Sequence, residues 1–421
     1  MDRVCLDHLA STPLLPEALA AMEPYWRAHY GSPSSLHQEG LRARAALTRA
    51  REQFAALIGA GSPDEILFTS GGTEAVNLAL KGVAYAAQRR GHHLVVGATE
   101  HPAVLQSIEF LEKQGFTSTR VAVDGEGRLD PDAVRSAVTD RTILIGTHLA
   151  NHDIGTIQPV AAVAQIAAER GIACFVDATT SGGWLPIDVA TLGVNLLALA
   201  PHRFYGPKGV GVLYRNRRAR LDGILHGGAQ EHGRRAGTEN VPAIVGAGVA
   251  AEVAARELEG RLAHTGRLQR RLWAGLEARV SCIQLNGPPP GPERIPTSLN
   301  LSTEFIEGEG QALLCDMNGF AVATGSSCAG KSLKIPPVLN AIGLDPGLAQ
   351  ANLIVSLGKD NTGAQIDRFI EIFAGKVVPR LRGMSPRWDE FQRGTIDSVI
   401  APRSSGGKFS GRAAGPSGRS A

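Results

Sequence analysis

Short apolar runs alternate with longer segments of helical periodicity over the first half of the chain. The apolar runs predict buried strands at residues 66–68, 94–97, 142–146, 172–176, 194–200 and 210–214. Helices of about 10–15 residues between such strands are typical of βαβ units. The pattern therefore predicts an α/β fold with a mostly parallel sheet.

The segments between these strands have apolar residues at helical spacing and end in residues that typically stop helices. Apolar residues from Leu41 to Ile58 fall on one face of a helix that should end at Gly59. The glycine-rich turn 69–73 begins a helix that we expect to reach about Arg90. Further helices are predicted at residues 102–114, from 131 onward with Asp130 as its cap, and at 160–170.

The second half of the chain predicts a smaller α+β domain. A long helix at 241–278 leads to a proline-rich turn at 287–292. Strands at 298–301, 320–323 and 353–357 and helices at 310–317 and around 366–377 follow. We expect an arm at 1–14 that packs with the small domain, a large domain at 15–255, the small domain at 256–400, and a disordered basic tail at 401–421.

Composition excludes several classes of protein. A chain of 421 residues with 43% apolar and 20% charged residues is ordinary for a globular protein of two domains. A net charge of +3 gives no reason to expect nucleic acid or a membrane as partner. The N-terminus lacks a long apolar run, so we expect a cytoplasmic protein. The five cysteines include no CxxC pair, which argues against a disulfide framework, and four of them have apolar neighbours typical of core residues: Cys5, Cys174, Cys282 and Cys315.

Candidate chemistry gathers at the ends of the predicted strands. His101, Asp177 and His202 each come just after a strand, and ligands of parallel sheets bind at the carboxyl ends of strands. The turn 69–73 lies between a strand and a helix, where free backbone N–H groups suit an anion. One pocket can therefore collect these groups.

Several motifs occur in one order over residues 4–388 and together resemble the NifS/IscS-type cysteine desulfurases, which are pyridoxal-phosphate (PLP) enzymes of aminotransferase class V. The motifs are the segment from Asp7 to Pro13, TSGGTE at 69–74, EH at 100–101, DAT at 177–179, YGPKG at 205–209, RAGTEN at 235–240 and SSC at 326–328. The resemblance implies the type I PLP-dependent transferase fold and a homodimer with its site near the interface.

The same resemblance implies a role for individual residues. His101 matches the histidine that stacks on the cofactor ring, and Asp177 matches the aspartate that binds the pyridinium nitrogen. Contacts to the cofactor phosphate match Thr73, His202 and, from the other subunit, Thr238. Cys328 matches the loop cysteine that carries sulfur as a persulfide; a thiolate is the reactive form for that task.

Other positions depart from the family pattern. Arg203 stands where the family has the Schiff-base lysine, and a guanidinium does not lose its proton in proteins. Lys208 does not replace it, because active relatives carry that lysine as well. Five further positions lack the side chain that the family has there. Ala200 stands in place of a phosphate-binding serine, and His152 and Thr180 stand in place of an asparagine and a glutamine that bond the phenolic oxygen of the cofactor. Ile354 stands in place of the arginine that binds the substrate carboxylate, and Ser32 stands in place of an asparagine.

Three functions are compatible with this pattern. The first is a desulfurase-like homodimer in sulfur transfer or iron–sulfur cluster assembly, without lysine-dependent catalysis, in which Cys328 carries a persulfide or binds a cluster on a scaffold or acceptor protein. The second is an active desulfurase that converts L-cysteine to L-alanine, or a chain that binds PLP non-covalently. The third is a metal site in the old cofactor pocket, built from His101, His152 and His202.

Overall fold

The computed structural model describes residues 3–325 and 335–400. Its centre is a seven-stranded sheet with strand order β2-β8-β7-β6-β5-β3-β4. The strands are β2 (Ile66–Thr69), β3 (His93–Gly97), β4 (Thr117–Val121), β5 (Thr142–His148), β6 (Ala173–Asp177), β7 (Leu196–Leu199) and β8 (Gly211–Arg215). The five strands from β4 to β7 in this order pair in parallel, and β8 alone runs antiparallel to its two neighbours. The predicted α/β fold with a mostly parallel sheet is confirmed.

Helices cover both faces of this sheet and bury its side chains in two apolar cores. The helices of this part are α1 (Pro16–Met22), α2 (Pro24–Arg27), α3 (Gln38–Ile58), α4 (Gly72–Ala87), α5 (Pro102–Glu112), α6 (Pro131–Ala137), α7 (Val160–Glu169), α8 (Val189–Leu192) and α9 (Gln230–Gly233). The C-terminus of α3 lies at Gly59, whose left-handed φ of 65° suits glycine. Asp130 caps α6 through a side-chain bond from the Asp132 N–H.

The helix α10 (Val241–Arg279) connects this part to a smaller antiparallel sheet with strand order β12-β10-β9. The remaining elements are β9 (Ile283–Asn286), β10 (Ser298–Thr303), α11 (Gly308–Met317), β11 (Phe320–Ala321), α12 (Pro337–Ala341), α13 (Pro346–Gln350), β12 (Asn352–Ser356), α14 (Gly363–Ile372), α15 (Val378–Arg382) and α16 (Pro386–Gln392). The N-terminal strand β1 (Val4–Cys5) pairs in parallel with β11, so the arm shares the third apolar core. Among the described residues, no helix is both long and apolar enough to span a membrane.

Sequence expectation and structure differ at a few elements. The helix after the glycine turn ends at Ala87 rather than near Arg90, and Phe373–Val377 is a π-helical segment inside the last predicted helix. Two strands were not predicted: β4 has the mostly polar sequence TSTRV, and β9 is only half-buried. Both lie at the edge of a sheet, where the apolar signal is weak.

The expectation of four core cysteines was wrong for two of them. Cys174 and Cys315 are buried, and burial raises the pKa of each thiol to about 12. Cys5 is exposed, because β1 points Val4 inward and its neighbour outward. Cys282 is half-exposed and has a positive φ of 50°, in the turn between α10 and β9.

Candidate ligand site at the carboxyl edge of the sheet

The predicted site residues follow parallel strands of the central sheet. His101 caps α5 four residues after β3, Asp177 is the last residue of β6, and His202 and Arg203 lie in the 3-10 turn Pro201–Arg203 after β7. Because these strands run in parallel, their carboxyl ends meet at one edge of the sheet. Asp177 and Arg203 are both within electrostatic range of His101 there.

Asp177 is a buried carboxylate at the centre of this edge. It is 4% exposed, and one of its oxygens accepts the Thr179 N–H at 2.9 Å. The Nδ1 atom of His101 accepts the Ala103 N–H at 3.0 Å, which fixes the imidazole at the start of α5. Burial lowers the pKa of His101, Asp177 raises it, and Arg203 lowers it again, so the ring is favoured as neutral imidazole.

Arg203 is bonded to the segment after β6 through both its side chain and its backbone. Its Nη1 atom donates to Thr180 Oγ1 at 2.7 Å, and its carbonyl oxygen accepts from Trp184 Nε1 at 2.8 Å. Burial, followed by the charges of Arg203 and Lys208, lowers the pKa of His202 to about 4. The guanidinium therefore suppresses protonation of the imidazole beside it.

His152 lies edge-to-face against His101, with 4.8 Å between ring centroids. The turn that places it is held by Asn151, whose Oδ1 accepts the N–H groups of Asp153 and Ile154 at 2.9 and 3.0 Å. Burial lowers the pKa of His152 well below its usual value, and His101 lowers it further. His152 Nε2 is 3.9 Å from Asp153 Oδ2, and burial raises the pKa of that carboxyl to about 7.

A buried Glu100–His148 contact behind this edge was not found from the sequence. Glu100 Oε1 is 2.9 Å from His148 Nδ1, and His148 Nε2 is 3.1 Å from the amide of Gln158. Burial raises the pKa of Glu100, while His148 lowers it. The only sequence signal was the polar EH pair after β3, and its partner is 48 residues away.

The glycine turn before α4 is closed by backbone packing. A Cβ atom on Gly211 would lie 2.2 Å from the carbonyl carbon of Gly71, so β8 and the turn meet backbone to backbone. Glu74 accepts the Ser70 N–H at 2.7 Å and pairs with Arg235 at 2.9 Å. Thr73 is exposed at the N-terminus of α4.

The segment that carries Thr238 is anchored to this turn and to α3. Glu231 forms a buried ion pair with Arg51 at 2.6 Å and accepts the Phe68 N–H at 3.0 Å. Thr238 itself is exposed. The anchored segment thus presents Thr238 on the surface of the single chain.

Three further positions lie apart from Asp177 or outside the described residues. Ile354 is buried in β12 and exchanges backbone hydrogen bonds with Ala323 at 2.7 and 3.0 Å, so its side chain belongs to the small sheet. Ser32 is half-buried and its carbonyl accepts the Ser35 N–H. Cys328 lies outside the described residues.

The histidines of the pocket do not form a metal centre together with nearby carboxylates. Within residues 3–325 and 335–400, no group of three or more His, Cys, Asp or Glu side chains is arranged to hold a metal ion. His101 and His152 meet ring edge to ring face, and the lone pair of His101 Nδ1 is occupied by a backbone N–H.

Comparison of the sequence with known proteins identifies a family and several relatives. The family model Aminotransferase class-V matches residues 4–369. "Cysteine desulfurase IscS" of Dictyoglomus turgidum is 41% identical over 389 residues, which cover 92% of this chain and 98% of that protein. "Cysteine desulfurase IscS" of Methanosarcina thermophila is 43% identical over 383 residues, which cover 91% and 94%.

Solved structures agree with the sequence comparison. A "NIFS-LIKE PROTEIN" superposes with a TM-score of 0.83 at 33% identity, covering 89% of this chain and 99% of that one. A structure titled "SspA in complex with cysteine" has a TM-score of 0.74 at 32% identity, covering 85% and 99%. The fold is the type I PLP-dependent transferase fold. The chain therefore belongs to the class-V aminotransferase family and is a homologue of the IscS cysteine desulfurases.

Proposed function

We propose that this chain is a cytoplasmic, desulfurase-like homodimer that acts in sulfur transfer or iron–sulfur cluster assembly without lysine-dependent PLP catalysis. The observation that carries the proposal is Arg203 in the turn after β7, with its guanidinium bonded to Thr180. In this family the turn carries the lysine that forms the Schiff base. The two IscS relatives described above support the sulfur-related role by their names.

The chemical argument rests on proton loss. An amine attacks an aldehyde only as the free base, and a desolvated lysine reaches that state. Arginine stays protonated in proteins, so Arg203 cannot form the Schiff base. Lys208 is exposed, five residues along the chain from Arg203, and is an additional lysine of the family motif.

The remaining residues fit PLP without a covalent link. Asp177 can bind the ring nitrogen, His101 can lie against the ring, and the N-terminus of α4 can receive the phosphate, with Thr73 and His202 near it and Thr238 supplied by the second subunit. Bound in this way, the cofactor would supply an electron-withdrawing ring. Ala200 and Ile354, in contrast, offer no hydrogen bond to a phosphate or to a substrate carboxylate.

Cys328 is the group that we propose handles sulfur. Its thiolate attacks the outer sulfur of a donor persulfide, a new S–S bond forms, and the donor leaves as a thiolate. No net oxidant is needed, because the sulfane sulfur is transferred at constant oxidation state. The same thiolate suits a cluster on a scaffold protein.

An active desulfurase is the second candidate. The buried carboxylate of Asp177 beside a neutral His101 favours it, since both groups of the family pattern are retained in one place. The names of the relatives favour it too. This candidate requires a route that does not use an amine at position 203.

The test is a direct assay of the full-length chain. Purified protein is incubated with PLP, L-cysteine and a thiol reductant, and alanine and sulfide are both measured, with the Dictyoglomus turgidum IscS as positive control. We expect neither product above the rate without protein. Alanine formed at the rate of the control would overturn the proposal in favour of the second candidate.

A separate arm tests the sulfur-handling role. The chain is mixed with a small-molecule persulfide, and its mass is measured before and after reduction. We expect one added sulfur on the wild type and none on Cys328→Ser. Equal sulfur uptake by both proteins would reject Cys328 as the carrier.

A further inference from the structure

A small cavity lies behind the Arg203 turn, where the N-terminal arm, the turns after β6 and β7, and the ends of two small-sheet elements meet. It has a volume of about 10 Å³, and His8, Thr180, Arg203 and Thr297 are among its lining residues. That volume is about the minimum that one water molecule requires. It excludes any larger ligand.

Two buried polar atoms on the lining residues have no hydrogen-bond partner within the protein. They are Nδ1 of His8 and Oγ1 of Thr297, whose residues are 9% and 3% exposed. Buried polar groups of native proteins are satisfied by protein or by ordered water, since an unmet one costs about 1–3 kcal/mol. Two such atoms on one small cavity indicate a shared partner.

Thr180 supplies a third group with hydrogen-bonding capacity. Its Oγ1 accepts from Arg203 Nη1 at 2.7 Å, which leaves its own hydroxyl hydrogen to be donated. Burial lowers the pKa of His8, while Asp360 and a hydrogen bond to the Cys5 backbone raise it less, so the ring is favoured as neutral imidazole. A neutral ring donates from one nitrogen and accepts at the other, and Nδ1 is the nitrogen without a partner in the protein. The lining residues therefore offer one donor and two acceptors around a space that fits one water molecule.

We propose that this cavity binds a single structural water that accepts a hydrogen bond from Thr180 Oγ1 and donates one each to Thr297 Oγ1 and His8 Nδ1. Three bonds are the usual number for a buried water. The assignment fixes His8 as the Nε2–H form. It also orients the Thr180 hydroxyl so that its lone pair faces the Arg203 guanidinium, which makes the water part of the support of Arg203.

The surrounding contacts hold the cavity walls in place. Tyr205, two residues after Arg203, donates its backbone N–H to Thr12 Oγ1 and accepts the Lys359 N–H at its hydroxyl, both at 2.6 Å. These two bonds join the Arg203 turn to the arm and to the segment after β12. The cavity is thus a built space between parts that are bonded to one another, rather than a gap in loose packing.

The test compares Thr297→Val with Thr297→Ser in the full-length chain. Valine keeps the shape and removes the hydroxyl, whereas serine keeps the hydroxyl. In high-resolution crystal structures we expect one water peak bonded to the three groups in the wild type and in Thr297→Ser, and loss of the peak in Thr297→Val. A wild-type structure with no peak between His8 and Thr297 would overturn the proposal.

Thermal unfolding gives an independent answer if crystals are not obtained. With the water present, Thr297→Val leaves His8 and Thr180 short of a partner, so its Tm falls below that of the wild type. Without the water, the same nearly isosteric variant removes an unsatisfied buried hydroxyl, so its Tm rises above that of the wild type. A Tm for Thr297→Val above that of the wild type therefore contradicts the proposal.

Discussion

Replacing Arg203 by lysine tests whether position 203 alone accounts for the expected loss of desulfurase activity, or whether other positions of the site contribute. Arg203→Lys returns an amine to the turn after β7, and this amine can form an aldimine with PLP. We nevertheless expect little desulfurase activity. The reason is that Ala200 and Ile354 remain, and neither can hydrogen-bond a phosphate or a carboxylate.

The magnitude follows from those two side chains. Each lost hydrogen bond to a charged group costs about 1.5–3 kcal/mol, so two cost about 3–6 kcal/mol. At about 1.4 kcal/mol for each tenfold change, activity falls by roughly 100-fold to 10,000-fold.

The assay is alanine formation from L-cysteine by Arg203→Lys at PLP and L-cysteine concentrations below saturation, so that weaker binding of either lowers the rate. Arg203→Gln is the matched control, since it removes the guanidinium without adding an amine. The double variant Arg203→Lys/Ile354→Arg shows whether the second position contributes. A rate for Arg203→Lys within tenfold of the Dictyoglomus turgidum IscS would refute the reasoning.

Three further predictions concern charges that the structure buries. Glu231→Gln breaks the ion pair with Arg51, and we expect about 3–5 kcal/mol lower unfolding free energy in urea, against less than about 1 kcal/mol for exposed Glu109→Gln. Burial raises the Asp153 pKa to about 7, above its unfolded value, so the stability that the protonated carboxyl contributes is lost as pH rises from about 4 to 7. Asp153→Asn should therefore flatten that part of a plot of Tm against pH. An unchanged slope in the variant would contradict the raised pKa. NMR titration should find the His202 pKa near 4 in the wild type. In Arg203→Gln we expect a higher pKa that is still below 6.5, because burial is the larger cause of the lowering. An unchanged pKa in the variant would show that the Arg203 charge does not lower the pKa of His202.

The sequence predicted the parts of the fold that depend on local pattern. Apolar runs marked the central strands, and Gly59 and Asp130 marked helix ends, because a left-handed glycine and an aspartate cap act within a few residues. It did not predict β4, whose TSTRV sequence lies at the sheet edge and buries only Val121. Backbone hydrogen bonds to one neighbouring strand hold this edge strand in place. Because few of its side chains are buried, its sequence lacks the apolar pattern that predicts a strand.

The sequence predicted where the candidate site lies but not which residues around it contact one another. The strand ends pointed to His101, Asp177 and His202 at one edge of the sheet. No local pattern joins Glu100 to His148, which are 48 positions apart, or Glu231 to Arg51, which are 180 apart. These contacts form only after the strands are ordered in space, so tertiary packing decides them.

The most direct test of the central claim asks whether any residue of this chain forms a Schiff base with PLP. The wild-type protein is incubated with PLP, reduced with borohydride, digested, and searched by mass spectrometry for a pyridoxyl group, with Arg203→Lys treated in parallel. We predict modification at position 203 in the variant and no stoichiometric modification of the wild type. A wild-type chain labelled stoichiometrically on Lys208, or on another lysine, would contradict the claim that it has lost the lysine chemistry.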